Sequence, residues 1–243
     1  MKRRLMFRRL DLITLAGFLL LTLLFSACKK LDTGNQPPIP VAGLMAFNLV
    51  PDRSSVAVAI GGNNLTNGGL SYTEYTGEYH GIYVGSRDVT SFDALSGTQL
   101  ATANHLFEDS AYYSAFVVGA NGSYRNVVVK DSLNNLASIA GEAFVRYVNA
   151  IPDSTKQPLV TISSNGTDVF KDNAPFATVS NFKAITPGNI SVKVNDEAAI
   201  NASRTITLEQ GKIYTVLLVG VPQATDSTKS VQVKFIQNGT VSQ

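Results

Sequence analysis

From residue 41 onward the chain alternates short apolar runs with turn-forming clusters. Ile190-Ser191-Val192-Lys193-Val194 strictly alternates apolar and polar positions. That period of two places one side of a strand in a core and the other toward water. Thr215 to Val219 is more continuously apolar, as expected of a central strand. The runs are rich in Val, Ile, Thr and Tyr, and most last four to eight residues. They predict strands at 44–50, 55–60, 89–92, 99–107, 112–118 and 124–130, then at 143–149, 159–163, 189–194, 203–208, 213–219 and 231–236. Turn chemistry separates them at Gly61-Gly62-Asn63-Asn64, Asn121-Gly122, Asn165-Gly166, Pro187-Gly188 and Gln210-Gly211. Many short strands with frequent turns predict an all-β fold, a sandwich with a barrel as the alternative.

The two sets of strands are copies. Asn48-Leu49-Val50-Pro51-Asp52 matches Asn149-Ala150-Ile151-Pro152-Asp153 at an offset of 101 residues. At the same offset Glu108, Tyr113, Val118 and Gly119 match Glu209, Tyr214, Val219 and Gly220. Tyr79, Ile82 and Gly85 match Phe182, Ile185 and Gly188 at 103, so small compensating indels lie between the blocks. A repeat of this length is one folding unit duplicated. The expected organisation is two tandem immunoglobulin-like β-sandwiches, residues 41–140 and 141–243. Their connection is short, so their mutual orientation is expected to be restricted.

The segment before residue 41 has another character. Lys2, Arg3, Arg4, Arg8 and Arg9 precede an uncharged apolar run from Leu12 to Phe25, and Ser26-Ala27-Cys28 follows. This is the three-part plan of a secretory signal, here residues 1–27. The run is short for a membrane span of roughly 20 residues. Ser26-Ala27-Cys28 resembles the lipobox of bacterial lipoproteins, which implies cleavage before Cys28 and lipidation of its sulfur. The alternative is an uncleaved signal anchor with an incidental cysteine. Residues 28–40 carry Pro37, Pro38 and Pro40 with little to bury, and read as an extended tether. The expected partner is therefore a membrane, reached through the lipid, and the expected address is the cell envelope, at the outer membrane.

Cleavage changes the charge. The whole chain has 20 basic and 18 acidic residues; without five basic residues and Asp11 it keeps 15 and 17, a net of −2. No basic surplus remains for nucleic acid. With its single cysteine lipidated, the mature chain has no thiol for a disulfide, a redox couple or a nucleophile.

One more pattern runs through both copies: Asn-x-x-Pro-Asp, an aromatic, Pro-Gly, then Leu-x-x-Gly-x-x-Tyr-Thr-Val-x-x-x-Gly. It resembles domain-of-unknown-function family 4397. The second copy carries it best, with Asn149, Pro152, Asp153, Phe182, Pro187, Gly188, Leu208, Gly211, Tyr214, Thr215, Val216 and Gly220. The first departs at Ser110 in place of the turn glycine and at Val84 before Gly85. The resemblance implies an immunoglobulin-like fold and an envelope location, and it implies no activity.

Candidate chemistry is sparse. His80 and His105 are the only histidines, and Lys183 and Ile206 stand at their repeat partners, so the shared fold does not need them. No Gly-x-Ser-x-Gly elbow accompanies them. Neither a metal site nor a cofactor is expected. Asp52 and Asp153 follow proline in both copies and read as turn residues, with a ligand carboxylate as the alternative. Tyr72, Tyr75, Tyr79 and Tyr83 crowd the first copy, where the second offers Phe176 and Phe182. Aromatic faces can stack on sugar rings, which marks Tyr72 and Tyr75 as candidate ligand residues; ordinary core and strand positions are the alternative. Ser110, Ser132, Ser154 and Ser227 each follow an aspartate, a pattern similar to O-glycosylation sites of Bacteroidetes envelope proteins, and equally good turn chemistry. The expectation is a non-catalytic envelope lipoprotein, a binding or adhesion module for a polymer, glycan or protein partner, with a periplasmic structural or assembly accessory or spacer as the alternative.

Overall fold

The computed structural model describes residues 38–133, 136, 141–153, 155–196 and 199–241. The expected signal, Cys28, most of the expected tether and Ser154 lie outside the described residues. The regular structure of the described chain is strand, apart from a short 3₁₀ turn at Ser227–Lys229. Among the described residues no helix is long and apolar enough to cross a membrane.

The first repeat contains β1 (Val41–Asn48), β2 (Ser55–Ile60), β3 (Asn63–Asn64), β4 (Leu70–Ser71), β5 (His80–Tyr83), β6 (Gly85–Asp93), β7 (Gln99–Phe107), β8 (Tyr112–Ala120) and β9 (Ser123–Asp131). The second contains β10 (Ala143–Asn149), β11 (Leu159–Ser164), β12 (Thr167–Asn173), β13 (Lys183–Ile185), β14 (Gly188–Asn195), β15 (Asn201–Leu208), β16 (Lys212–Val219) and β17 (Gln232–Thr240). Each repeat is a two-sheet sandwich. One sheet of the first runs β5-β1-β8-β9 and the other β3-β2-β6-β7, with β4 also on β2. Their counterparts in the second are β13-β10-β16-β17 and β12-β11-β14-β15.

All twelve predicted strands are present. The short edge strands β5 and β13 are additional, because three or four mixed residues carry no alternation of their own. They form by antiparallel pairing onto β1 and β10. β12 also goes beyond the sequence reading: Thr-Asp-Val-Phe-Lys-Asp-Asn is rich in poor strand formers, and its charges suit an edge. β1 pairs parallel with β8, and β10 with β16, at the centre of otherwise antiparallel sheets. The predicted Asn121-Gly122 and Asn165-Gly166 turns have positive φ at both residues, as two-residue hairpins require.

Residues 40–243 form one compact unit. Within it the two central sheets, β5-β1-β8-β9 and β13-β10-β16-β17, pack face to face. Leu44, Val56, Val58, Phe107 and Tyr113 fill the first sandwich; Val145, Tyr147, Ile162, Val192 and Val216 fill the second. A third core of Met45, Phe47, Leu49, Phe116 and Val118 against Val148, Ala150, Leu217 and Val219 joins the repeats. Strands β8, β10 and β16 are therefore covered on both faces, which is why their sequences run apolar without alternation.

The repeated motifs have repeated jobs. Asn48 accepts from the Val50 amide at 2.9 Å and donates to the Leu70 carbonyl at 2.8 Å. Asn149 does the same with Ile151 at 3.1 Å and Ala174 at 2.8 Å. Tyr113 and Tyr214 accept at their hydroxyls from the amides of Glu108 and Glu209, five residues upstream, at 3.0 and 3.1 Å. That bond is the tyrosine corner of immunoglobulin-like sandwiches.

Candidate functional site

The junction of the repeats holds the least expected chemistry. Arg146 on β10 is the one charged residue in Ala-Phe-Val-Arg-Tyr-Val-Asn. Alternation turns Arg146 and Val148 toward the first repeat and Val145 and Tyr147 into the second core. Arg146 lies 2% exposed and pairs through Nη1 with Asp131, at the end of β9, which is fully buried as a side chain. Its Nη2 donates to Ser114 Oγ at 2.7 Å and its Nε to Thr215 Oγ1 at 3.0 Å. Ser114 and Thr215 are repeat partners on β8 and β16. Asp131 also accepts from Ser114 Oγ and from the Tyr79 hydroxyl, both at 2.7 Å. Burial, and then the Asp131 carboxylate, push the Tyr79 hydroxyl well above the usual tyrosine range. Thr215 passes the chain on to Asn238 Oδ1 at 2.6 Å. The guanidinium carbon lies 4.3 Å from the Phe182 ring centroid and 5.3 Å from that of Phe116. Tyr79 and Phe182, the matched aromatics of the two copies, thus meet the two halves of one ion pair, Tyr79 at Asp131 and Phe182 at Arg146.

A cleft of about 310 Å³ opens beside this network. Lys130, Ser132 and Val129 line it from the first repeat, and Arg146, Ser180, Asn181 and Phe182 from the second. Arg146 is held by Asp131, and Lys130 by Glu108 at 2.8 Å, so the cleft has polar walls without surplus charge.

Next to the cleft, the face of β1 that meets the second repeat continues past the contact. Val41, Gly43, Met45 and Phe47 share that face. Register places Tyr83 of β5 opposite Val41, Gly81 opposite Gly43, and Tyr112 of β8 beside Gly43. Met45 and Phe47 are buried against the second repeat, while Val41, Tyr83 and Tyr112 are exposed. Tyr79 meets Tyr112 edge-on at 5.0 Å.

The sequence candidates fall in different places. Tyr72 and Tyr75 are half-buried and packed on the core between the repeats, and Tyr75 stacks on Phe47 at 5.5 Å. Burial pushes the Tyr72 hydroxyl up to about 12. Both rings therefore spend part of their surface on protein, and Tyr75 also borders a hollow lined by residues 65–70. Tyr75→Ala is expected to cost about 2–3 kcal/mol of stability, below a fully buried aromatic. The urea midpoint measures it, and a cost under about 0.5 kcal/mol would put the ring at the surface.

His105 lies on β7 among Phe107 and Tyr113, at 5.1 and 5.2 Å, and burial lowers its pKa. His80 borders a separate hollow formed by residues 65–70 with Tyr75 and Thr76. Among the described residues no group of three or more His, Cys, Asp or Glu side chains could hold a metal. Asp52 accepts from the Asn121 amide at 2.7 Å and the Tyr124 hydroxyl at 2.8 Å, tying its turn to the β8–β9 hairpin. Asp153 accepts from the Thr155 amide at 2.9 Å. Ser110, Ser132 and Ser227 are exposed in turns or strand ends. Ser132 lines the cleft, and Ser110 takes the positive φ that glycine takes at position 211.

Sequence reasoning missed Arg146, Asp131, Tyr83 and Tyr112 as members of one region. A single arginine on the inward parity of an apolar strand was the available signal.

The family model described as a domain of unknown function, DUF4397, matches residues 42–156 and again 143–238. The chain belongs to this family. No curated protein matches it. Among solved structures, one similar chain is a family 26 carbohydrate-binding module from Eubacterium rectale Amy13K, in complex with maltoheptaose. It is 10% identical, covers 83% of this chain and 98% of its own, and has a TM-score of 0.24. Another is a proposed cell adhesion protein from Bacteroides eggerthii, at 11% identity, 85% and 98% coverage, and a TM-score of 0.23. A third is a proposed polysaccharide-binding protein (DUF1812) from Bacteroides thetaiotaomicron, at 10%, 83% and 98%, with a TM-score of 0.21. Likenesses this weak carry no weight for ligand or mechanism.

Proposed function

We propose that this DUF4397-family chain is a non-catalytic, lipid-anchored envelope protein that binds an extracellular or periplasmic partner at the junction of its two repeats. The observation that carries this reading is the junction itself. A buried ion pair and a shared apolar core hold two sandwiches in one orientation, and beside them lie a polar cleft and exposed aromatics on rigid strands. Ligand sites sit preferentially at such interfaces, where preformed walls reduce the cost of ordering on binding.

The anchor rests on Ser26-Ala27-Cys28 after an export signal. Each buried CH₂ contributes about 0.8 kcal/mol, and a single acyl chain is marginal, so two or three chains on Cys28 hold the protein durably. Cys28→Ser is expected to abolish fatty-acid labelling and release the chain from the membrane with its fold unchanged. Retention of label on the mutant removes the lipoprotein reading.

The rigid stacking also suits a spacer or assembly subunit that works inside the periplasm. Protease shaving of intact cells separates the two readings. Digestion of the mature chain, while a periplasmic control survives, is the result expected of an outward-facing binding protein. Protection until the outer membrane is opened rules out adhesion and favours the spacer.

A further inference from the structure

The corner of the first repeat formed by Val41, Tyr83 and Tyr112 is open, whereas in the second repeat the position matching Tyr112 is covered. At the repeat offsets Gly43 corresponds to Phe144, Gly81 to Ala184 and Tyr112 to Ile213. Phe144 and Ile213 are buried, with Ala184 packed on them, under Leu133 and Leu136 from the connection between the repeats. Tyr83 is 59% exposed and Tyr112 39% exposed, and a Cβ built on Gly81 would meet nothing within 4 Å. Where one copy carries apolar residues under a cover around this position, the other carries hydroxylated rings facing solvent.

The rings are held in place. Tyr112 lies across Gly43, where a Cβ would come within 2.6 Å of its ring, so the glycine is the floor that lets it lie flat. Tyr79 braces Tyr112 and is itself tied to Asp131. Arg87 donates from Nε to the Tyr83 carbonyl at 2.7 Å, and its guanidinium lies 5.7 Å from that ring's centroid. The two tyrosines flank β1, two residues apart in register, so their Cα atoms are about 12 Å apart. That spacing suits an extended chain laid along the sheet.

We infer that Tyr83 and Tyr112 form a shelf for a neutral oligosaccharide, running toward the cleft walled by Ser132, Asn181 and Phe182. This rests on the binding-module reading and names its ligand class. Three observations select the class. Of the cations beside the site, Arg146 is paired with Asp131 and Lys130 with Glu108; Arg87 keeps its charge, held on the neutral Tyr83 carbonyl and over that ring, and one such cation is too few to select nucleic acid or an acidic polymer. A specific protein partner needs about 800 Å² per side around an apolar centre, and one valine and two tyrosines do not supply it. A pyranose has apolar C–H faces and a hydroxyl rim, which match flat rings with polar groups beside them. The shelf is also continuous with the inter-repeat interface through Tyr79 and Asp131.

The test is native affinity electrophoresis of the full-length protein in detergent. The gels contain soluble starch, mixed-linkage β-glucan, mannan or xylan, with polygalacturonate and heparin as anionic comparisons. The expected result is retardation by at least one neutral polymer. Tyr83→Ala and Tyr112→Ala each weaken it about tenfold, the upper end of one aromatic contact, and Tyr112→Phe retains it. Because Tyr83 is largely exposed, its alanine variant should melt like the wild type. Retardation unchanged in both alanine variants overturns the shelf, as does retardation only by the anionic polymers or by none. Crosslinking on cells separates the two levels: a partner still captured by the alanine variants leaves the binding-module reading standing without the shelf, and no polymer and no partner ends both.

Discussion

Arg146→Ala will destabilise the protein by about 3–5 kcal/mol, the usual cost of stripping one partner from a buried pair. The loss is larger than that of a surface salt bridge because Asp131, a fully buried side chain, would keep its charge without its counter-charge. Ser114, Thr215 and Tyr79 would lose a bonded neighbour or a fixed geometry, and Phe116 and Phe182 would face a cavity. Arg146→Met combined with Asp131→Asn should recover most of the loss. Met45 occupies the position equivalent to Arg146 in the first repeat, so that side chain suits the strand. Replacing both charges removes desolvation and attraction together, a change that is often neutral. Urea unfolding of the two variants decides it. If Arg146→Ala costs under about 1 kcal/mol, the pair contributes no more than a surface bridge and does not lock the repeats.

Gly119→Ala and Gly220→Ala form the second expected result, each costing about 2–5 kcal/mol. Two penalties add. φ is +120° at Gly119 and +106° at Gly220, a backbone that L-residues seldom adopt. A Cβ would stand 2.1 Å from the carbonyl oxygen of Ser123 in the first case and of Ser230 in the second. Backbone cannot rotate away as a flexible side chain can, so the strand end must shift and the following hairpin with it. Gly211→Ala is the comparison. Its φ is +72°, but a Cβ there meets nothing within 4 Å, so only the conformational cost of about 1–2 kcal/mol remains. Thermal or urea unfolding should therefore rank Gly119 and Gly220 well above Gly211. Equal losses at all three would mean that the close approach to Ser123 and Ser230 relaxes freely.

Glycine at 119 and 220 was legible as a repeat before it was legible as a contact. The repeat, the strands and the hairpin turns are written locally: alternation sets a strand's two faces, and Asn-Gly sets a tight turn. The Asn-x-x-Pro-Asp motif was also visible, though its centre is the buried asparagine that fastens the next loop rather than the aspartate. The short strands β5, β12 and β13 carry little signal of their own and exist because β1, β11 and β10 offer them an edge. For the candidate site, the excess of aromatics in the first repeat was visible, but not which of them face water. Tyr72 and Tyr75 look no different in sequence from Tyr83 and Tyr112. The first two fall where the second repeat packs; the others fall just beyond its edge.

The sequence by itself determined an all-β chain of two copies, the turns that close its hairpins, and the charge and cysteine content of the chain. These depend on neighbours within a few residues or on plain composition. The tertiary structure alone decided that the two sandwiches share a core, that Arg146 finds its counter-charge in the other repeat, and that one corner of one sheet stays open. Those outcomes depend on which faces meet across residues far apart in the chain, and period-two alternation marks a face as apolar without saying what will cover it.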